Sequence, residues 1–164
     1  MKKDISWNKI KSETKSIWAG ETDPFPYNTT QPSTVNSVAF NYKNIEEWVS
    51  LAKGDKKGHI YGRNTNPTVE ILEKKVAILE GAESATAFSS GMAAISNTMF
   101  ACLRPGDRVV VGKDTSGGTS KIFMKFLPSF NIDVVFCDTT DTEKFKSEIK
   151  KKCDLLYLET PTNP

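Results

Sequence analysis

The sequence has few of the residues that build metal sites or disulfide frameworks. Its 164 residues include three cysteines and one histidine. The cysteines, Cys102, Cys137 and Cys153, are odd in number and widely spaced, with no CxxC pair, and His59 is the only imidazole that could join them. A metal site is therefore not expected, and a reduced, cytoplasmic protein is the default expectation.

Long apolar runs and a strong charge of one sign are also missing. No run of about 18 apolar residues could span a bilayer, and the basic N-terminus, MKKDISWNKIKSETKS, is not followed by the apolar core of a secretory signal. The formal net charge is only +2, which gives no reason to expect nucleic-acid or membrane partners. The lysines at 150–152 are interpreted as the solvated end of a helix, where they complement its dipole.

The periodicity of apolar residues changes near residue 58. Residues 1–58 have weak periodicity, and the stretch TDPFPYNTTQPS (22–33) carries three prolines that predict extended or turning backbone. A short helix is predicted over 45–51, before a polar break at 53–58. We interpret residues 1–58 as an N-terminal arm and residues 59–164 as part of a folded domain.

Helix signals become clear from residue 66 onward. Asn66 can cap a helix that begins at Pro67, and apolar residues follow at helical spacing until Gly81 ends it. Three further helices are predicted over 92–103, 121–127 and 141–152.

Four short β-type runs alternate with these helices. They lie at 84–88, 108–112, 132–137 and 154–159, and their starts are about 24 residues apart. Strands that alternate with helices at this spacing predict an α/β fold with a mostly parallel sheet and right-handed crossovers.

Three polar loops follow predicted strands, at 89–92 (SSGM), 113–119 (KDTSGGT) and 159–164 (ETPTNP). Ligands of open parallel sheets sit beyond the carboxyl ends of the strands, so the three loops are expected to face one crevice.

The first loop has two interpretations. Gly91 would let a phosphate approach the free N–H groups of the first helical turn, and the serine hydroxyls would add donors. A plain helix cap by Ser89 or Ser90 explains the serines without any ligand. The chain has neither GxxxxGK[ST] nor GxGxxG, so the usual nucleotide loops are not supported.

Six blocks together resemble the pyridoxal-phosphate enzymes of cysteine and methionine metabolism. This group includes cystathionine γ-synthase, cystathionine γ-lyase and β-lyase, methionine γ-lyase and the O-acylhomoserine sulfhydrylases. The resemblance covers residues 12–164 in order and at the family's spacing. The blocks are YGRNTNPT (61–68), LEGAE (79–83), SSGMAA (89–94), PGDRVV (105–110), D-T-x-G-G-T (114–119) and ETPTNP (159–164).

The resemblance implies the large domain of the fold-type I, aspartate aminotransferase-like enzymes, with its first half in residues 59–164. It also implies pyridoxal 5'-phosphate as cofactor, a small amino-acid substrate, and a homotetramer built as a dimer of dimers with shared active sites.

Several residues match cofactor contacts of the family. Gly91 and Met92, beside Ser90, match residues whose backbone N–H groups hold the cofactor phosphate. Tyr61 and Arg63 match a pair that reaches the phosphate in the neighbouring subunit's site, a role that suits the forked guanidinium. The alternative for Arg63 is an ordinary surface arginine.

The last block supplies two more matches. Asn163 matches an asparagine that bonds the ring hydroxyl oxygen of the cofactor, and Glu159 stands where the family has a supporting acid. A simple proline-rich turn would explain Pro161 and Pro164 but not the order of the polar residues between and beside them.

Two departures from the family pattern affect the expected chemistry. Ser116 stands where an aromatic residue usually stacks on the cofactor ring; a serine loses that stacking and the phenol used in proton transfer, which counts against efficient γ-elimination. The family's Schiff-base lysine, the aspartate at the pyridine nitrogen and the substrate-binding arginine all come after ETPTNP, beyond Pro164.

The leading interpretation is the N-terminal part of a pyridoxal-phosphate enzyme that carries out elimination or replacement at the β- or γ-carbon of a sulfur amino acid or O-acylhomoserine. Alone, it is expected to be inactive. The alternative is a non-catalytic paralogue or subunit that pairs with a full-length partner and lends it Tyr61 and Arg63. A remoter one is a protein that binds another phosphate ligand at Ser90 and Gly91.

Overall fold

The computed structural model of the chain describes residues 5–21 and 25–162. It divides into two compact units, Met1–Ala87 and Phe88–Pro164. Asn163, and residues 22–24 of the proline-containing stretch, lie outside the described residues.

The first unit is built of helices and connecting segments. The helices are α1 (Ser12–Trp18), α2 (Ile45–Lys53) and α3 (Pro67–Glu80), with short 3-10 turns at Trp7–Lys9 and Pro26–Asn28. The predictions of α2 and α3 are confirmed, whereas α1 was not predicted because its stretch carries little apolar periodicity.

Local capping explains where α3 begins and ends. The side-chain oxygen of Asn66 accepts hydrogen bonds from the backbone N–H groups of Thr68 at 2.8 Å and Val69 at 3.4 Å. Gly81 ends the helix in the left-handed conformation that glycine adopts without strain. Both residues are the ones that the sequence predicts for these positions.

The end of α1 lies against α3. Lys75 Nζ donates to the carbonyl oxygen of Ile17 at 2.9 Å and to the Glu21 carboxylate at 2.6 Å. Gly20, between them, has a φ of +79°, and a Cβ there would lie 2.7 Å from the Ile71 carbonyl oxygen. Only glycine satisfies both constraints, so it fixes the close approach of the two helices.

The second unit contains a parallel sheet. Its strands are β1 (Arg108–Gly112), β2 (Asp133–Cys137) and β3 (Leu155–Tyr157), in the order β2-β1-β3. Val110 of β1 lies opposite Val135 on one side and Leu156 on the other. The predicted parallel α/β architecture is confirmed.

Helices occupy the segments between and beside these strands, as predicted. They are α4 (Gly91–Cys102), α5 (Gly117–Lys121), a π-helical turn (Ile122–Phe126), α6 (Leu127–Ser129) and α7 (Thr142–Lys150). The helix expected over 121–127 therefore starts earlier, at Gly117, and includes the π-helical turn.

The core of the second unit is formed around β1. Val109, Val110 and Val111 are fully buried, because β1 is the central strand and both of its faces are covered. Phe123 and Leu127 pack with Met99 of α4 against this strand. Each such side chain stabilises the fold by about 1.5–3 kcal/mol relative to its exposed state.

The prediction of a strand at 84–88 is wrong. A strand requires a neighbour that accepts and donates backbone hydrogen bonds, and none of the described strands pairs with this segment. The N–H of Ala87 donates instead to the Glu73 carboxylate at 2.8 Å. The alternation of small apolar residues in segment 84–88 is compatible with a strand, but this pattern does not specify a neighbouring strand with which to pair.

Candidate functional site

The N-terminus of α4 and the loops that follow β1 and β3 lie together in the second unit. The N–H of Ser116, after β1, donates to Glu159 Oε2, after β3, at 2.9 Å. Thr119 Oγ1 lies 4.0 Å from Met92 Sδ in the first turn of α4. Five of the residues singled out from the sequence therefore belong to one contiguous region; they are Ser90, Gly91, Met92, Ser116 and Glu159.

Ser90 is the N-cap of α4. Its hydroxyl oxygen accepts a hydrogen bond from the N–H of Ala93 at 3.1 Å. The helix-cap interpretation is therefore correct for Ser90. The hydroxyl proton is not used in that bond and can still be donated to a ligand.

The first turn of α4 offers two further donors. The N–H groups of Gly91 and Met92 come too early in the helix to have an intrahelical acceptor, and no other described residue accepts from them. A Cβ built on Gly91 would meet no atom within 4 Å. Two unpaired N–H groups at a helix N-terminus, next to a glycine whose Cβ position is clear of other atoms, are what an anion needs.

Ser116 is held by two hydrogen bonds. Besides the bond from its N–H to Glu159, its hydroxyl lies 2.8 Å from Thr119 Oγ1. Thr119 is fully buried, which makes it a fixed partner. The Ser116 side chain is thus turned toward the first turn of α5.

Glu159 uses both carboxylate oxygens within the chain. Oε2 accepts from Ser116, and Oε1 accepts from the Tyr157 hydroxyl at 3.0 Å. Burial, followed by this hydrogen bond to Glu159, raises the pKa of Tyr157 above its ordinary value. The phenol is therefore protonated at neutral pH and acts as the donor.

A charged pair stands beside this region, at the ends of β1 and β2. Lys113 Nζ contacts Asp138 Oδ2 at 2.5 Å. The bond from Lys113, and then those from Thr140, hold the pKa of Asp138 well below its usual range. The same contact raises the pKa of Lys113, so both groups are ionised at neutral pH.

Tyr61 and Arg63 lie in the first unit. Residue 61 forms an isolated antiparallel bridge with Ala39, and the N–H of Gly62 donates to the Val38 carbonyl at 2.7 Å. The Arg63 guanidinium stacks on the Tyr61 ring, with Cζ 5.2 Å from the ring centre. Arg63 is exposed, and no carboxylate among the described residues pairs with it.

Sequence reasoning missed Tyr157 and Thr119. Tyr157 is two residues before Glu159, and side chains two apart in extended backbone point to the same face; that spacing was the available signal. Thr119 belongs to the D-T-x-G-G-T block, but its contact with Ser116 depends on the helical turn that follows the loop.

Within residues 5–21 and 25–162, no group of three or more His, Cys, Asp or Glu side chains could hold a metal ion. No helix in the same ranges is long and apolar enough to cross a bilayer. A cavity of about 520 Å³ lies between α4 and the π-helical turn, lined by Met99, Phe100 and Phe126 among others, away from the three loops.

Comparison with known proteins places this arrangement in a family. A profile described as "Cys/Met metabolism PLP-dependent enzyme" matches residues 13–164. The chain is 38% identical over 151 residues to L-methionine gamma-lyase of Fusobacterium nucleatum subsp. polymorphum, which is 92% of this chain and 38% of that protein. It is 34% identical over 151 residues to the probable cystathionine gamma-synthase of Herpetosiphon aurantiacus, covering 92% of this chain and 44% of that protein.

A solved structure supports the same placement. The crystal structure of metB from Corynebacterium glutamicum superposes with a TM-score of 0.86 at 35% identity, over 98% of this chain and 40% of that chain. The chain thus spans about two fifths of the length of these relatives. With most of its residues matched by the family profile, the chain belongs to the Cys/Met metabolism family of PLP-dependent enzymes.

Proposed function

We propose that Ser90, Gly91 and Met92 form the phosphate-binding part of a pyridoxal-phosphate enzyme. In this proposal the enzyme acts on a sulfur-containing amino acid or an O-acylhomoserine. The observation that carries this proposal is the N-terminus of α4, where the Gly91 and Met92 N–H groups have no acceptor among the described residues and a Cβ on Gly91 would meet no atom. Relatives named for γ-lyase and γ-synthase reactions support the substrate class. Elimination and replacement both remain within the proposal.

The residues at the N-terminus of α4 fit a phosphate. Two backbone N–H groups, the helix dipole and the spare proton of Ser90 all favour a dianion there. Pyridoxal phosphate, when bound, supplies the electron sink that such chemistry requires. In this proposal Ser90, Gly91 and Met92 hold its phosphate, and Asn163 contacts its ring.

Ser116 has a different role from the aromatic residue that it replaces. It has no ring with which to stack on the cofactor, and its hydroxyl is bonded to Thr119. We propose that it contributes a hydroxyl beside the ring. Glu159, whose two oxygens accept from Tyr157 and Ser116, is proposed to be the supporting acid of the cofactor site.

Tyr61 and Arg63 are proposed to act on the phosphate in a neighbouring subunit of a homotetramer. The support is local: the stacked, exposed guanidinium has no carboxylate partner among the described residues, and a guanidinium binds phosphate through two parallel hydrogen bonds. The 164 residues on their own are proposed to be catalytically inactive, and the protein is proposed to act in the cytoplasm, where its three free thiols stay reduced.

The test compares pyridoxal phosphate with pyridoxal, which lacks the phosphate, by equilibrium dialysis against the 164-residue chain. We expect the phosphate form to bind at least about tenfold more tightly, since each charge-assisted hydrogen bond contributes roughly 1.5–3 kcal/mol. Gly91→Ala should weaken only the phosphate form, because its methyl group meets nothing in the chain but enters the proposed phosphate space. Equal binding of the two compounds, or an unaffected Gly91→Ala variant with native circular dichroism, would overturn the proposal.

A second candidate function is favoured by Ser116 together with the unpaired Arg63. A chain that cannot stack on the cofactor could still lend Tyr61 and Arg63 to a full-length partner. Mixing it with a full-length relative whose matching tyrosine and arginine have been replaced should then restore activity. Arg63→Ala in this chain is the matched control and should restore nothing.

A further inference from the structure

Tyr157 is anchored in the core of the second unit. It lies on β3 opposite Val111 of the central strand. Its ring centre is 4.9 Å from that of Phe123, which is fully buried. The position of the phenol oxygen is therefore set by the sheet and by core packing.

The phenol extends this anchoring to Glu159. Its O–H donates to Oε1 at 3.0 Å, and this bond orients the carboxylate so that Oε2 can face the neighbouring loop. Phenol and carboxylate lie two residues apart and share one face of the chain. Without the phenol, the carboxylate would be restrained by the Ser116 N–H alone and could sample more of its side-chain torsions.

The carboxylate in turn holds the Ser116 amide. Ser116 is the N-cap of α5, and an N-cap N–H has no acceptor within its own helix. Glu159 Oε2, at 2.9 Å, supplies that acceptor across 43 residues of sequence. The start of α5 is thereby tied to the end of β3.

A second connection runs from the same loop to α4. The Ser116 hydroxyl contacts Thr119 Oγ1 at 2.8 Å, and Thr119 Oγ1 lies 4.0 Å from Met92 Sδ. A Cβ on Gly118 would lie 2.9 Å from the same sulfur atom. The start of α5, directly after the loop, therefore packs closely on the helix turn that carries the candidate phosphate donors.

We infer that Tyr157 is a positioning residue, which acts through Glu159 to hold the Ser116 amide and so sets the conformation of the loop over residues 113–116. Its effect on the cofactor rests on the proposed function. The restraint of the Ser116 amide by Tyr157 and Glu159 depends only on the contacts described above.

The experiment measures hydrogen exchange of individual backbone amides by NMR, in the absence of cofactor. The variants are Tyr157→Phe, which keeps the ring on Phe123 but removes the donor, and Glu159→Gln, whose single carbonyl oxygen is a weaker acceptor. Tyr27→Phe and Glu143→Gln are matched controls at exposed positions. The readout is the ratio of the Ser116 exchange rate in each variant to that in the unmodified chain. The exchange rate of Val110 in the buried strand β1 reports any loss of global stability separately.

We expect this ratio to rise about tenfold in Glu159→Gln, the scale of one hydrogen bond to a charged group. In Tyr157→Phe it should rise by a smaller factor, and in the controls it should not change. An unchanged ratio in Tyr157→Phe would overturn the inference, even if Glu159→Gln behaved as expected. An unchanged ratio in both variants would also overturn the role of Glu159.

Dialysis of the same variants against pyridoxal phosphate separates this inference from the proposed function. If exchange rises as expected but the unmodified chain does not bind the cofactor, the proposed function fails and the inference stands. If the unmodified chain binds, Tyr157→Phe should bind several-fold more weakly. Unaltered binding by a variant with raised Ser116 exchange would show that the loop conformation does not matter to the cofactor.

Discussion

Asn66 ties residue 35 to the start of α3. Its Nδ2 donates to the Val35 carbonyl at 2.9 Å, while its Oδ1 caps the helix. The N–H of Val35 donates in turn to Thr68 Oγ1 at 2.9 Å. Both backbone groups of one residue in the N-terminal segment are therefore held by the first turn of a helix that begins about thirty residues later.

Two substitutions at Asn66 separate its functions. Asn66→Asp keeps the capping oxygen but loses the donor to Val35, and it should lower the free energy of unfolding by about 1 kcal/mol. Asn66→Ala loses the capping oxygen as well, and it should lower the free energy of unfolding by roughly another 1–2 kcal/mol. Tryptophan fluorescence during urea unfolding is the measurement, because Trp7, Trp18 and Trp48 all lie in the first unit. Equal stability of Asn66→Asp and the unmodified chain would show that the Val35 contact contributes nothing.

Ser89 and Ser90 give a matched pair at the start of α4. Ser90→Ala should destabilise the second unit by about 1 kcal/mol, because the Ala93 N–H loses its acceptor. Ser89→Ala should have no effect of that size, since Ser89 is exposed and lies outside the capping bond. Hydrogen exchange of peptides from α4 measures the difference. The reverse ranking would place the cap one residue earlier than described.

The Lys113–Asp138 pair predicts a pH dependence. The pKa of Asp138 is lower in the folded chain than its unfolded value of about 3.9, so the pair stabilises the fold above that pH. This contribution is lost as the pH falls through the acid range toward the folded pKa.

Asp138→Asn should therefore be less stable than the unmodified chain above about pH 5, and the difference should shrink below about pH 4. Urea midpoints measured across the acid range test this. Glu143→Gln is the control, because the Glu143 carboxylate belongs to a highly exposed pair with Lys146. A difference between Asp138→Asn and the unmodified chain that stays constant with pH would contradict the assignment.

Arg108 links three segments at the amino end of the sheet. Its guanidinium bonds Asp133 at 3.2 Å, the Glu148 carboxylate at 2.5 Å and the Lys152 carbonyl at 2.9 Å, and the side chain is largely buried. Arg108→Met should cost about 2 kcal/mol, and Arg108→Lys should recover only part of this because an ammonium cannot reach all the acceptors together. Hydrogen exchange in β1 and α7 provides the measurement. Full recovery by lysine would mean that charge alone matters here.

Local signals predicted the features that local chemistry decides. The Asn-Pro start and glycine end of α3, and the run of valines in β1, each depend on a few neighbouring residues and were correctly interpreted from the sequence. Helix α1 escaped notice because its apolar residues are too few to show a period, and its packing depends on the distant Lys75.

Features that depend on a distant partner could not be predicted in the same way. Residues 84–88 have the composition of a strand, yet strand formation needs a neighbour that composition does not specify. The parallel topology predicted that the polar loops would lie at one edge of the sheet, but the bond between Ser116 and Glu159 follows from exact geometry across 43 residues. Ser90 serves as the cap and has the extended backbone angles typical of an N-cap residue, which the sequence does not specify.

The strand order has a consequence for synthesis on the ribosome. β1 is central in the sheet, yet both of its neighbours, β2 and β3, come later in the chain. At about 5–20 residues per second, translation needs roughly 2–9 s to proceed from the end of β1 to the end of β3. During those seconds Val109, Val110 and Val111 lack both neighbouring strands, so the backbone edges of β1 and its apolar side chains are open to association with other chains.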